Sequence, residues 1–340
     1  MKHKILVTGG LGFIGSHVVV ELQNNNYDVV IIDDLSNSSL NVLAGIFNIT
    51  NIKPTFKKID LKDKKSVVNF FEKHKDIVGV VHFAASKAVG ESVDKPLDYY
   101  ENNLNSLIHL LQELKKLSKV NFIFSSSCTV YGEPDELPIT EFASIKTAES
   151  PYGKTKQIGE EIIRDLSKVS ESINAVILRY FNPIGAHSSL EIGELPIGKP
   201  QNLVPFITQT AIGKRNQLNV FGGDYPTKDG TCIRDYIHVV DLAKAHVCAL
   251  NRLLKNVNSE NYEVFNIGTG KGSSVLDIIK TFEEVSGRKL NYKIVKRRDG
   301  DIPSAYASTS KANEVLGWKS KLSIKEALNS AWKWEQKQLT

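Results

Sequence analysis

Short apolar runs alternate with longer amphipathic segments through the first half of this 340-residue chain. The apolar runs are rich in Val and Ile and show little polar alternation, which is typical of strands buried on both faces of a parallel sheet. The segments between them carry apolar residues at three- and four-residue spacing and predict helices. This rhythm predicts an α/β fold, a doubly wound parallel sheet with right-handed crossovers.

The pattern also predicts where the elements and domains lie. The predicted strands cover residues 5–8, 29–33, 55–59, 79–83, 121–125 and 175–179, and the predicted helices cover residues 14–24, 64–73, 98–117 and 152–169. After about Phe181 the rhythm changes, because loops rich in Gly and Pro separate fewer elements. We therefore expect one domain over residues 1–180 and a smaller C-terminal α/β domain over residues 181–340. The chain is expected to cross between the two domains more than once.

Composition narrows the range of partners. The net charge of +5 comes from scattered lysines, not from a basic block, so we expect no nucleic-acid partner. The cysteines Cys128, Cys232 and Cys248 lie far apart, which argues against a disulfide framework and suits a reducing compartment. The histidines show no metal-ligand spacing, and no apolar stretch is long enough for a signal peptide or a membrane span. We expect a cytoplasmic protein that uses neither a metal nor a membrane.

A glycine-rich turn follows the first predicted strand and precedes the first predicted helix. The stretch TGGLGFIGSH places Gly9, Gly12 and Gly15 at three-residue spacing. Glycine permits the tight turn and the close approach of backbone to a pyrophosphate, and the helix that opens there directs N–H groups at the phosphates. The strand–turn–helix context turns a weak motif into a prediction of a Rossmann-type dinucleotide site.

An acidic residue ends the second predicted strand. Asp33 stands near the offset from the glycine turn at which a carboxylate binds the adenosine ribose hydroxyls. The carboxylate would repel a 2′-phosphate, and no arginine stands nearby in the sequence to bind one. NAD is therefore the predicted cofactor, in preference to NADP.

A possible catalytic group follows from two further stretches. The strand that begins near residue 121 ends in consecutive serines, Ser125 to Ser127, at the edge where such sheets bind ligands. The stretch SPYGKTK then places Tyr152 and Lys156 one helical turn apart. We expect the lysine ammonium and the positive nicotinamide together to lower the phenol pKa, so that Tyr152 acts as a base while a serine hydroxyl steers a substrate alcohol.

Longer strings carry a more specific resemblance that spans nearly the whole chain. They are TGGLGFIGSH, HFAASKAVGESV, FIFSSSCTVYG, SPYGKTK, RYFNPIGAH, DYPTKDGTCIRDYIHVVDLA and KRRDGDIP. The chain resembles the UDP-galactose 4-epimerase family of extended short-chain dehydrogenase/reductases. The resemblance implies permanently bound NAD and interconversion of UDP-glucose and UDP-galactose through a transient 4-keto sugar. Tyr152 would remove the proton of the sugar O4, Ser127 would share that proton path, and Lys156 would tune Tyr152.

The resemblance also assigns binding residues. Besides Gly9, Gly12, Gly15 and Asp33, the implied cofactor-binding residues are Phe13, Ile14, Asn37, Ser38, Asp60, Leu61, Phe83, Ala84, Lys87, Asn102 and Phe181. Besides Ser127 and Tyr152, the implied substrate-binding residues are Asn182, Asn202, Leu203, Phe221, Arg234, Tyr236, Arg298, Asp301 and Ala305. Relatives with a bulky aromatic residue at the Ala305 position have little room for a 2-acetamido group. We therefore expect UDP-GlcNAc and UDP-GalNAc to be accepted as well.

Several of these residues have structural alternatives. Arg298 lies in a run of charged residues that could form a solvated face, and Arg234 could pair with Asp235. Asn182 precedes a proline and could belong to a turn. His82 and His238 lie in apolar contexts and are expected to be core residues.

Rival functions stay open on the sequence. A 4,6-dehydratase typically needs carboxylates where Cys128 and Thr129 stand, which argues against it. A 4-epimerase of UDP-glucuronate, a decarboxylase, or a catalytically silent NAD-binding regulator remain alternatives, although the regulator would be expected to have lost Tyr152 or Lys156. The family further implies a homodimer formed through residues 98–117 and 152–169.

Overall fold

A seven-stranded parallel sheet forms the centre of the molecule. The computed structural model describes residues 2–298 and 300–339. The first half of the chain supplies strands β1 (Lys4–Thr8), β2 (Asp28–Asp33), β3 (Thr55–Lys58), β4 (Ile77–His82), β5 (Val120–Ser127) and β6 (Ile173–Tyr180). Its helices are α1 (Phe13–Asn24), α2 (Asn41–Thr50), α3 (Lys64–Lys73), α4 (Val89–Asp94), α5 (Pro96–Tyr100), α6 (Ser106–Leu114) and α7 (Pro151–Val169). The predicted α/β class and parallel sheet are confirmed.

The second half of the chain contains strands of two to six residues. These are β7 (Asn182–Ile184), β8 (Leu218–Phe221), β9 (Ile233–His238), β10 (Tyr262–Ile267), β11 (Gly272–Ser274), β12 (Tyr292–Val295) and β13 (Ser304–Ala305). The helices are α8 (Leu203–Ala211), α9 (Val239–Leu254), α10 (Val275–Ser286), α11 (Ser310–Glu314) and α12 (Ile324–Lys337). Strand β9 pairs with β11, β13 and β7, and β8 pairs with β12. Strand β10 joins the large sheet beside β6, so the strand order of that sheet is β10-β6-β5-β4-β1-β2-β3. Helix α9 packs on α1.

Apolar side chains alternate between the two faces of the large sheet. In β1, Ile5 and Val7 belong to one buried cluster and Leu6 belongs to the other. The first cluster includes side chains of α1 and α9, and the second includes side chains of α3, α6 and α7. Because both faces are covered by helices, each strand can be apolar along its length, which explains the sequence pattern.

The predicted helix over residues 98–117 is wrong in its continuity and its end. The structure divides this segment into α5, a π-helical turn at Glu101–Asn105 and α6, which ends at Leu114. The side chain of Asn103 explains the wide turn, because it bonds the backbone N–H and carbonyl of Ser86 and the hydroxyl of Thr155. The apolar three- and four-residue spacing that predicts a helix carries no information about such contacts with other segments, so it did not predict the interruption.

Helices α2 and α4 were not predicted. The side chains of the N-cap residues Leu40 and Ala88 make no cap hydrogen bond, so neither helix carries the usual N-terminal signal. The predicted bounds of the first six strands lie within two residues of the observed bounds. No helix in residues 2–298 and 300–339 is long and apolar enough to span a bilayer.

A buried ion pair joins α7 to β6 behind the serine-rich strand end. Arg179 donates from Nε to Oε1 of Glu160 at 2.9 Å, and Ser126 Oγ donates to the same oxygen at 2.5 Å. Both charged side chains are nearly inaccessible, at 3% and 4% exposure. Removing one partner leaves a buried charge without compensation, which is more costly than the net gain from the intact pair.

We expect Glu160→Ala to lower the free energy of unfolding by about 3–5 kcal/mol, because Arg179 stays buried without its carboxylate. Urea unfolding followed by circular dichroism measures the change. Asp165→Ala is the matched control on the same helix, since the Asp165–Lys168 pair is exposed. We expect the control to change stability by less than about 1 kcal/mol. Equal losses in the two variants would contradict the prediction.

Candidate active site

The glycine-rich turn joins the carboxyl end of β1 to the amino end of α1. Gly9 has φ +67°, and an added Cβ there would lie 2.8 Å from the Ala84 backbone nitrogen. A Cβ on Gly15 would lie 2.2 Å from the Gly9 carbonyl oxygen, so only glycine fits at this position. Gly12 is the N-cap of α1 and makes no side-chain cap, which leaves the first-turn N–H groups available to a ligand.

Asp33 lies against the glycine turn at the end of β2. Its carboxylate accepts hydrogen bonds from Leu11 N at 3.0 Å, Ser38 Oγ at 2.7 Å and Leu35 N at 3.0 Å. The side chain is nearly buried, with 7% exposure. The hydrogen bonds hold an acidic group beside the turn, at the edge of the sheet where all parallel strands end.

Tyr152 and Lys156 lie in the first turns of α7 and are both buried. Ser150 caps the helix by accepting a hydrogen bond from Gly153 N at 3.2 Å. Lys156 Nζ donates to the Ser125 carbonyl oxygen at 2.8 Å and lies 5.9 Å from the centre of the Tyr152 ring. The helix thus directs both side chains at the carboxyl end of β5, where the serines lie.

Burial changes both pKa values in this pair. Burial raises the pKa of Tyr152 to about 12, and a hydrogen bond with Ser127 opposes that rise. Burial lowers the pKa of Lys156 to about 8, opposed by the negative charge of Glu160. Burial therefore sets the direction of the Tyr152 pKa shift in the protein by itself. The expected lowering, which also depends on the positive nicotinamide, stays a prediction. The Lys156 ammonium bonds the Ser125 carbonyl, and desolvation of the phenol is the larger effect.

The other implied cofactor residues are distributed around the same edge. Phe83 and Ala84 follow β4, and their N–H groups donate to the carbonyl and hydroxyl oxygens of Thr8. The remaining implied residues follow the carboxyl ends of β2, β3 and β6 or lie at the amino end of α1. They are Phe13, Ile14, Asn37, Ser38, Asp60, Leu61 and Phe181. Asn102 lies in the π-helical turn and donates to Ser86 Oγ at 3.1 Å. Lys87 Nζ lies 3.6 Å from Oε1 of Glu194.

Arg234, Arg298 and Asp301 form an ion cluster in the second half of the chain. Arg298 Nη2 lies 2.9 Å and Arg234 Nη2 lies 3.6 Å from the same Asp301 oxygen. The Arg298 guanidinium lies 5.6 Å from the centre of the Phe221 ring. Such planar donor groups suit a diphosphate. The Arg298 side chain is 44% exposed and follows the exposed Lys296 and Arg297, so it lies on a solvated charged face as well as pairing with Asp301.

The alternative of an Arg234–Asp235 ion pair is wrong. Asp235 is buried and accepts hydrogen bonds from Thr269, Gly270 and Ala307. Among the residues that the structure describes, Asp301 is the carboxylate that pairs with Arg234.

Strand β7 places Asn182 opposite Tyr236 of β9 in register. Asn182 therefore begins a strand and does not belong to a turn. Its Oδ1 is buried and makes no hydrogen bond in the described part of the chain, so an acceptor is available to a ligand.

Two further implied substrate residues lie on β13 and at the start of α8. Ala305 of β13 is in register with Arg234 of β9 and is 4% exposed. Leu203 opens α8, and its neighbour Asn202 donates to Oε1 of Glu194 at 2.6 Å.

The sequence analysis missed three charged residues of the candidate active site and its surroundings: Glu160, Arg179 and Glu194. Only Glu160 had a local signal, because it lies one helical turn after Lys156. Glu194 lies in a loop whose partners are distant in sequence, so no local pattern identifies it. His82 and His238 are buried core residues, as expected. The described residues contain no cluster of three or more side chains suited to a metal, and all three cysteines are free.

The sheet order, the glycine turn, the strand-end carboxylate and the buried Tyr–Lys pair are together typical of dinucleotide-binding short-chain dehydrogenase/reductases. The family model described as GDP-mannose 4,6 dehydratase matches residues 6–331. A UDP-glucose 4-epimerase from Bacillus subtilis (strain 168) is 49% identical over 331 residues, which cover 97% of this chain and 96% of that relative.

Two solved structures agree with this match. The UDP-glucose-4-epimerase from Stenotrophomonas maltophila, with bound NAD and formylated UDP-arabinopyranose, has a TM-score of 0.94 at 44% identity, with 99% of both chains covered. The UDP-glucose 4-epimerase from Bifidobacterium longum, in complex with NAD+ and UDP, has a TM-score of 0.94 at 45% identity, again with 99% of both chains covered. The chain therefore belongs to the extended short-chain dehydrogenase/reductases and, among them, to the UDP-glucose 4-epimerase family.

Four buried histidines make stability depend on acid pH. Burial lowers the pKa of His17 and His82 to about 3, and that of His238 and His246 to about 4. Each stays neutral in the folded protein but binds a proton in the unfolded chain below about pH 6.5. Their contribution is complete above that pH and is lost as the pH falls toward the folded values.

We expect the free energy of unfolding to fall by about 2 kcal/mol per buried histidine between pH 6.5 and pH 5. Urea titrations at a series of pH values measure the slope. His246→Gln should make the decline shallower, whereas His3→Gln, at an exposed position, should leave it unchanged. A slope that is the same in both variants would rule out this origin of the acid sensitivity.

Proposed function

We propose that this protein interconverts UDP-glucose and UDP-galactose by inverting C4 of the sugar, with bound NAD as the hydride carrier. The observation that carries the proposal is the buried arrangement of Tyr152, Lys156 and the β5 serines at the same sheet edge as the glycine turn and Asp33. The membership of the chain in the epimerase family supports it.

The residues of the glycine turn fit a dinucleotide. Gly9 and Gly15 allow the turn to pack closely on its own backbone and on the end of β4. The pyrophosphate would lie beside the uncapped amino end of α1, where Phe13 and Ile14 supply backbone N–H groups. Asp33 would accept hydrogen bonds from the ribose hydroxyls, with Asn37 and Ser38 on the same side. Its negative charge disfavours a 2′-phosphate, so NAD fits better than NADP.

Asp60, Leu61, Phe83, Ala84, Lys87, Asn102 and Phe181 complete the proposed cofactor cleft. When bound, NAD+ supplies both the hydride acceptor and a positive charge that favours the phenolate form of Tyr152.

Tyr152 is the proposed base and acid for the sugar O4. A phenol whose pKa is raised to about 12 by burial holds its proton firmly, so ionisation requires nearby positive charge. Lys156 supplies part of that charge from the next helical turn, and Ser127 can pass the proton between the sugar oxygen and the phenol. Cys128 and Thr129 follow Ser127, and burial raises the Cys128 thiol pKa to about 11. That neighbour is a poor acid or base, which argues against dehydration.

The ion cluster is the proposed site for the diphosphate of the sugar nucleotide. Arg234 and Arg298 would bind the phosphates, while Asp301 holds the two guanidinium groups in place. Phe221 and Tyr236 would contact the uridine, and Leu203 would lie beside it. Asn182 and Asn202 would contact the sugar or the diphosphate.

The proposal extends to the domain division, the oligomeric state and the cellular location. Residues 1–180 form the NAD-binding domain and residues 181–340 the substrate domain, with the chain returning to the large sheet at β10. A homodimer would form through residues 98–117 and 152–169, where Leu97 beside the first segment and Val169 are exposed. The unpaired cysteines suit a cytoplasmic location.

We expect Tyr152→Phe to lower turnover of UDP-galactose by at least about 10²-fold, because the phenylalanine ring cannot exchange a proton. The bound NAD should remain, since the change removes a single hydroxyl group. A coupled assay measures turnover, and the absorbance of dinucleotide released by acid measures NAD content. Tyr27→Phe is the control, because Tyr27 precedes β2 at the opposite edge of the sheet and bonds Asn251.

Wild-type rates in Tyr152→Phe would show that another group is the base. Wild-type protein that acts only on UDP-glucuronate would instead be a different epimerase or a decarboxylase. Protein that holds NAD but converts no UDP-sugar would be a regulator.

Ala305 provides a test of substrate breadth. We propose that its small side chain leaves room for a 2-acetamido group, so that UDP-GlcNAc and UDP-GalNAc are also substrates. Ala305→Tyr is expected to slow the acetylated pair at least about tenfold relative to UDP-galactose, measured with both substrates side by side. Turnover of UDP-galactose is the internal control for folding. Equal slowing of both substrates would contradict the proposal. So would turnover of the acetylated pair that is no faster in the wild type than in Ala305→Tyr.

A further inference from the structure

Glu194 lies between residues from both proposed binding sites. Its Oε1 accepts a hydrogen bond from Asn202 Nδ2 at 2.6 Å and lies 3.6 Å from Lys87 Nζ. Lys87 follows β4 of the large sheet, and Asn202 directly precedes α8. A single carboxylate oxygen is therefore shared by an ammonium group of the cofactor cleft and an amide of the sugar-nucleotide site.

The backbone of this loop is held against α12. Trp334 Nε1 donates to the Glu194 carbonyl oxygen at 2.9 Å. A Cβ on Gly193 would lie 2.6 Å from the Trp334 ring, so the chain is in direct contact with the indole. The Glu194 side chain is 11% exposed, whereas the Lys87 side chain is 47% exposed. The carboxylate is therefore the fixed member of the group, and its two partners are the ones that can move.

The Asn202 contact is the stronger of the two interactions. A hydrogen bond to a carboxylate is about twice as strong as one between neutral groups. An ion pair at 3.6 Å with a half-exposed lysine is screened by solvent and contributes little. A sugar nucleotide that takes the N–H of Asn202 now bonded to Glu194 must first break this charge-assisted bond.

We propose that Glu194 is a positioning residue that competes with the sugar nucleotide for Asn202 and thereby limits how tightly the nucleotide is held. The inference rests on the proposed function, because that function places Asn202 in the substrate site, and of the two groups named there it takes the diphosphate as the one that Asn202 binds. The competition favours release of the product, which has the same UDP group as the substrate. Binding energy that held both equally would lower KM without raising kcat.

Glu194→Gln tests this role by removing the charge and keeping the shape. The amide oxygen can still accept from Asn202, but without charge assistance, so the bond is weaker. We expect the Kd of the holoenzyme for UDP to fall about threefold to tenfold, measured by isothermal titration calorimetry. In the turnover of UDP-galactose, KM and kcat should both fall, because product leaves more slowly. A role in stability alone would not lower both.

Two comparisons separate local competition from general electrostatics. Glu191→Gln removes the same charge from the same loop, but Glu191 contacts Asn48 and Lys337 instead of Asn202. It should leave the UDP Kd and the turnover unchanged. In an Asn202→Ala background, Glu194→Gln should no longer tighten UDP, because the competing bond is already absent.

The inference is overturned if Glu194→Gln leaves UDP affinity unchanged or weakens it. It is also overturned if Glu191→Gln tightens UDP equally, or if the gain persists without the Asn202 amide. Should Glu194→Gln fail to fold, Glu194→Asp provides the same test, since the shorter side chain withdraws the oxygen from Asn202. Wild-type protein that holds no NAD, or that shows no epimerase turnover, would refute the proposed function. Normal wild-type activity with an unaltered Kd in the variant would refute only the role of Glu194.

Discussion

The parallel register of the large sheet is the constraint on which the candidate site depends. Thr8 of β1 is in register with Ile32 of β2 and His82 of β4, so the residues that follow these strands emerge side by side. In the same way, Ser127 of β5 is in register with Tyr180 of β6. Parallel strands place all their carboxyl ends at one edge, which is where such folds bind ligands. Residues far apart in sequence thereby share one cleft.

Close backbone contact at that edge permits little variation in the residues of the glycine turn. The Phe83 N–H donates to the Thr8 carbonyl oxygen at 3.0 Å, and the glycine turn has no room for a Cβ at Gly9 or Gly15. The turn, the β4 end and Asp33 thus form one packed unit through backbone contacts. Side chains that reach a ligand from this unit are held by groups that have little freedom to move.

Electrostatics in the catalytic group reflect burial more than pairing. Tyr152 and Lys156 are both desolvated, so each is driven toward its neutral form, and their pKa values move apart, to about 12 and about 8. Glu160 counteracts the shift of Lys156 while it also neutralises Arg179. The proposed chemistry therefore draws on a buried charge network that extends from α7 through β6 as well as on the tyrosine and lysine themselves.

Features that depend on local patterns were easier to predict from the sequence than features that depend on contacts between distant segments. The Val- and Ile-rich strands, the glycine spacing, Asp33 and the Tyr–Lys spacing were evident in the sequence, because they depend on local periodicity and on residues close together in the chain. Long motifs also carried the family resemblance. By contrast, the pairing of Arg234 and Arg298 with Asp301, and the interruption of the helix by the π-helical turn, depend on contacts between separate segments.

The sequence by itself determined the fold class, the position of the glycine turn and the residue types available for proton and hydride chemistry. Tertiary structure decided which charges are compensated, which side chains are desolvated and which distant residues share an oxygen, as at Glu194. The physical reason is that periodicity and turn chemistry act over a few residues. Desolvation and ion pairing, in contrast, depend on every segment packed around a group.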